Sequence, residues 1–150
     1  MYETAIKLAR QHFDELLTNI IKTVRETKPE FYNELDDAEL KRRISPTLEK
    51  HLYYLETGDL SDWKEYCTRI VTLRVKDGQN YGPIIQVNKL LLGAWHEFFE
   101  AKLLPLGTID GQRAERIVRS IDNRLNGLDS VGIATATATA LKLKQEQQKR

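Results

Sequence analysis

The chain is poor in cysteine. Cys67 stands alone among 150 residues, which excludes an internal disulfide framework and a metal site built from several cysteines. It is also poor in net charge: 23 Lys and Arg stand against 22 Asp and Glu, for a formal charge of +1. With neither sign in excess, long-range attraction to nucleic acid or to an anionic membrane is not expected. No charge-free apolar run reaches transmembrane length. Met1-Tyr2-Glu3-Thr4 leads into an amphipathic segment without the basic, apolar and small-residue architecture of a signal peptide, so the expected location is the cytoplasm. Internal repeats are absent. Proline is sparse, with four residues, and Pro29, Pro46, Pro83 and Pro105 all fall where a helix is expected to start or stop.

What is present is helical periodicity. Ala5, Ala9, Phe13, Leu16, Leu17, Ile20, Ile21 and Val24 recur at the spacing of one amphipathic helix over residues 3 to 26. Asp36 with Glu39 forms a carboxylate capping box, and Leu35 with Leu40 a hydrophobic staple. The helix begun there is expected to be short, because Ser45-Pro46 has the form of a cap followed by a first-turn proline that opens another. Leu48, Leu52 and Leu55 form the inner side of that second segment, and Gly58 is its left-handed stop. Asp59 or Ser61 caps the next helix, whose inner side is traced by Trp63, Tyr66, Cys67, Ile70, Val71 and Arg74.

The densest apolar stretch follows the turn from Asp77 to Pro83. Between Pro83 and Leu104 the polar residues Gln86, Lys89, Gly93, His96, Glu97 and Glu100 mark one narrow stripe, so this helix needs more than one apolar neighbour. Pro105 and Gly107 close it. Thr108 or Asp110 opens the last segment, with Ile117, Val118, Ile121, Leu125, Leu128 and Val131 as its stripe. From Ala134 to Ala140 alanine and threonine alternate with the period of a strand; here they are taken to continue the last helix. The expectation is an all-α domain over residues 1–131 and an exit helix or linker over 132–150.

Catalytic chemistry finds little support. The three histidines, His12, His51 and His96, fall on different helices, with His51 placed among solvent-facing charges. His96-Glu97 with Glu100 reads His-Glu-x-x-Glu, which lacks the second histidine of the zinc-protease pattern and the repeated carboxylates of a di-iron bundle. A small metal enzyme using those residues is the weakest of the functional alternatives. Cys67 has no basic neighbour to lower its pKa and fits a buried inert thiol. Lys41-Arg42-Arg43 fits a solvated face, and Gly78, Gly82 and Gly107 do not form a phosphate-cradling pattern. No catalytic residue and no metal ligand is assigned.

The helix order, the segment Leu55-Glu56-Thr57-Gly58-Asp59 with Trp63 after it, and the spacing from Arg74 to Gly78 together resemble the non-haem globin N-terminal sensor domain of RsbR-type stressosome proteins, over about Leu16 to Leu128. The resemblance implies a globin-like fold that forms a homodimer through its last two long helices, in front of a signalling domain such as a STAS domain. In the related haem sensors a proximal histidine lies four residues before a glycine. If Gly78 is that glycine, Arg74 occupies the ligand slot, and a guanidinium has no lone pair to offer iron. No cofactor is therefore expected. A haem-binding sensor using His96 or His51 is the alternative. The residues expected around an empty or repurposed pocket are Tyr54, Trp63, Cys67, Ile70 and Trp95. Those expected at the dimer interface are Leu91, Trp95, Phe98, Ile117, Ile121, Leu125 and Leu128. Either a small apolar ligand near Arg74 or a docked partner supplies the signal.

Overall fold

A computed structural model describes residues 2–149. Among the described residues the chain is all-α, with six α-helices and one short 3-10 turn. They are α1 (Glu3–Gln11), α2 (Phe13–Thr27), α3 (Asp37–Thr57), α4 (Leu60–Lys76), α5 (Gly82–Leu103) and α6 (Gly111–Gln148), with the 3-10 turn Tyr32–Glu34 between α2 and α3. None is long and apolar enough to cross a membrane.

Most helix ends carry the caps that the residue types promise. Asp36 accepts from the Glu39 amide at 2.8 Å, and Asp59 accepts from Ser61 and Asp62. Asp110, not Thr108, caps α6 by accepting from the Gln112 amide. Gly58 ends α3 at φ +70°, a conformation that costs an L side chain free energy, and Gly78 follows α4 at φ +74°.

Two boundaries differ from the sequence reading. The first helix is two, because His12 leaves helical geometry at φ −112°, ψ 23°. Ser45-Pro46 does not open a helix. α3 runs unbroken from Asp37 to Thr57 with Pro46 inside it. The proline removes one backbone donor there; Arg42, four residues back, is exposed, so the bond is lost where water can replace it. The Ser45 hydroxyl meanwhile donates to the Lys41 carbonyl. The last helix continues through the alanine–threonine stretch, as expected. α6 spans 38 residues, Ala134 to Ala140 included, or about 57 Å at the usual helical rise. It stays packed as far as Ala136, which is 3% exposed.

α6 is the element around which the others gather. α4 and α5 pack along it, α2 lies against α5 and α3, and α1 bridges α3 and α5. At Gly132 an added Cβ would stand 3.2 Å from the Trp63 indole nitrogen, so the absence of a side chain there lets α4 approach. That nitrogen donates to the Leu128 carbonyl at 2.9 Å. The core holds Leu16, Ile20, Leu48, Leu52, Leu91, Trp95, Phe99, Leu103, Ile121 and Leu125, all at 2% exposure or less. Trp95 stacks on Phe99 with ring centres 5.3 Å apart, and Phe98 meets Phe99 edge-on.

Candidate functional site

A cavity of about 580 Å³ opens between α3, α4, α5, α6 and the turn after α2. Its inner wall is made by residues that are otherwise core: Trp63, Val71, Val87, Leu91 and Ala136. Cys67, Ile70, Ile84 and Ile133 continue the apolar lining at half-burial. At its rim stand four arginines, Arg42, Arg43, Arg69 and Arg74, with Asp77 as the carboxylate among the lining residues there. The volume falls within the usual range for small-molecule pockets.

The rim is held by local devices. Glu39 binds both Arg42 and Arg43 one turn further along α3. Thr47 and the Tyr66 hydroxyl lie 2.7 Å apart, and Lys50 pairs with Asp62, so α3 and α4 are tied beside the opening. The Arg74 guanidinium lies 4.0 Å over the Phe31 ring and donates to Gln79 at 3.1 Å. Phe31 itself sits at φ +71°, ψ −55°, with the Tyr32 amide bonded to the Glu30 carbonyl across it. This is the strained form of the γ-turn, rarely adopted by a bulky residue. Strain of this kind persists only where surrounding structure holds it, and it concentrates at binding sites.

Behind the cavity lies a buried polar chain. Asp129 is 7% exposed and lines the inner wall. It accepts from the Asn88 amide at 2.7 Å and from Lys89 at 2.9 Å. The Asn88 side-chain oxygen faces His51 Nε2 at 2.9 Å, and Trp95 Nε1 donates to His51 Nδ1 at 3.0 Å. Since Nδ1 must accept, His51 is the neutral tautomer with its proton on Nε2, donating to Asn88. Burial pushes its pKa down to about 4. Among the described residues no buried side-chain nitrogen or oxygen is left without a partner.

The residues picked from sequence separate into three groups. Trp63, Cys67, Ile70 and Arg74 meet at the cavity. Tyr54 does not; it packs beneath Arg124 elsewhere. Trp95 does not line it either, being fully buried between Phe99 and His51. The proposed interface residues Leu91, Trp95, Phe98, Ile117, Ile121, Leu125 and Leu128 are 0–7% exposed and fill the core of the single chain. They are therefore not surface that a second copy can reach. The apolar stripes of α5 and α6 are spent on each other, on α2 and on α4.

His51 is also misplaced by sequence, since it lies at 0% exposure rather than among solvent-facing charges. It falls three residues after Leu48 and four before Leu55, on the buried stripe of α3, and this spacing was the available signal. Asn88 and Asp129 were missed entirely. Asp129 follows Leu125 by one turn on the same stripe, which is the mark of a buried polar residue.

Burial raises the Cys67 thiol to about 12, which removes it as a nucleophile at neutral pH. His96 is half-exposed on the outside, between Asp122 and Glu100 at 2.7 Å each, and Asp122 foremost raises its pKa. Among the described residues no three His, Cys, Asp or Glu side chains are grouped to hold a metal ion. As for haem, both His51 nitrogens are engaged inside the core and both His96 nitrogens face carboxylates on the outside, so neither residue presents a free nitrogen to the cavity. No protein-family model, curated protein or solved structure matches the chain.

Proposed function

We propose that the chain is a non-catalytic sensory and docking domain of a bacterial stress-signalling regulator: globin-like, working without haem, homodimeric, and joined to a signalling domain of the STAS kind. The observation that carries this reading is the cavity beside Arg74. It is apolar and sized for a small molecule, and its buried wall is shared by α4, α5 and α6. A small apolar ligand in this space touches Trp63 and Val71 on one side and Ala136 on the other, and so bears on the seam between α4 and the long α6. α6 then carries a change in that seam beyond the domain. Such a signal requires that the ligand favour one arrangement of the seam over another.

The homodimer belongs to the same proposal, with one revision. The buried stripes of α5 and α6 are occupied, so the second copy has to meet their outer faces, where Leu92 is half-buried and Leu104 and Leu141 are exposed. Two measurements test the reading together. Light scattering at high micromolar concentration should give twice the chain mass. A neutral apolar fluorophore such as phenylnaphthylamine should bind with enhanced emission, and Ile70→Trp, which fills the cavity, should abolish that binding while keeping the helical circular dichroism. A monomer that takes up no fluorophore ends the proposal.

A further inference from the structure

Four arginines stand at the mouth of an apolar space, and two of them have no carboxylate partner among the described residues, Arg74 giving one N–H to the Gln79 side-chain oxygen. Arg42 and Arg43 are committed to Glu39. Among the described residues, Arg69 and Arg74 have no carboxylate within ion-pair distance. Several arginines along α6 share that property, but only Arg69 and Arg74 combine it with a place on the cavity rim. Both also lie over aromatic rings. Arg69 lies 5.5 Å over Tyr66, and Arg74 lies 4.0 Å over Phe31 and 5.6 Å over Tyr32. A guanidinium already placed over a ring loses less freedom when its remaining N–H groups meet an acceptor.

The buried wall of the cavity offers an anion no partner. Asp129 is buried there and already takes Lys89 and the Asn88 amide, so an anionic group finds its donors at the rim. Between the two ends the lining is aromatic and aliphatic, with Trp63, Ile70 and Leu91 along it. Asp77, also on the rim, is exposed and does not pair with either arginine.

We infer that the cavity takes an apolar acid, a single anionic group on an aromatic or aliphatic body, with the acid on Arg69 and Arg74 and the body directed inward along Trp63 toward Leu91. This rests on the reading of the cavity as a ligand pocket and names the class of ligand it selects.

The test is competition against phenylnaphthylamine on the whole chain, with a naphthalene carboxylate and its neutral methyl ester as competitors. The acid should displace the fluorophore at about one tenth of the ester concentration or less, the margin expected of hydrogen bonds to a charged group. In the double variant Arg69→Gln, Arg74→Gln that margin should vanish while the ester binds as before. Equal binding of acid and ester to the unmodified chain overturns the inference and leaves the pocket standing. Survival of the margin in the double variant overturns the assignment of the two arginines. If calorimetry shows that neither competitor binds, and the fluorophore is not taken up, the pocket reading falls with it.

Discussion

The two ends of α5 are built from different materials. Toward its C-terminus, Trp95, Phe98, Phe99 and Leu103 meet α2 and α6 in a dry, largely aromatic contact. Toward its N-terminus, Val87, Asn88 and Leu91 border a cavity, a buried Asp129 and a rim of arginines. Trp95 belongs to both: its ring stacks on Phe99 and its N–H reaches His51. The dry end is where the fold draws its stability. The other end gives up packing and carries strain at Phe31, as binding sites commonly do. Substitutions at the dry end should therefore act on stability, and substitutions at the cavity rim on binding.

The largest effect is expected from Phe99→Ala, which leaves a void in the dry contact and should cost about 4 kcal/mol in urea unfolding. The polar chain should respond to pH. The unfolded chain protonates His51 near 6.5, while the folded chain resists until about 4. Stability from this group is thus fully present above pH 6.5 and is lost as the pH falls toward 4, by about 3 kcal/mol in all. His51→Gln should flatten that part of the stability–pH curve; an unchanged slope would mean that another group sets it. Gly58→Ala should cost about 1 kcal/mol, since only its left-handed turn is disturbed. Smallest of all, Arg74→Gln should shift unfolding by less than about 0.5 kcal/mol, because its ring contact and its bond to Gln79 lie near the surface. If Arg74→Gln instead costs as much as Phe99→Ala, the division between the two ends is wrong.

The dry end was legible in the sequence and the cavity end only in part. Apolar periodicity located the helical segments, though it split α3 at Pro46, and it set Ile117, Ile121 and Leu125 on one apolar stripe, because burial follows the helical repeat directly. What periodicity does not say is which surface an inner face meets. Residues assigned to a second copy of the chain turned out to face a neighbouring helix of the same chain. Pro46 was misjudged for a related reason, since a proline is tolerated inside a helix where the lost bond faces water, and that depends on packing. At the cavity, Trp63, Cys67, Ile70 and Arg74 share one helix and one face, so their meeting was foreseeable. His51, Asn88 and Asp129 come from three helices, and only the tertiary arrangement brings their polar atoms within bonding distance.

The central claim is that the loosely packed end of α5 is a ligand pocket and not a packing defect. Thermal unfolding with and without the naphthalene carboxylate tests it most directly. At about one hundred times its dissociation constant, a ligand that binds only the folded chain should raise the midpoint by about 5 °C or more. Ile70→Trp, with the space filled, should unfold at the same temperature whether or not the acid is present. An unmoved midpoint in the unmodified chain, or an equal rise in Ile70→Trp, would contradict the claim.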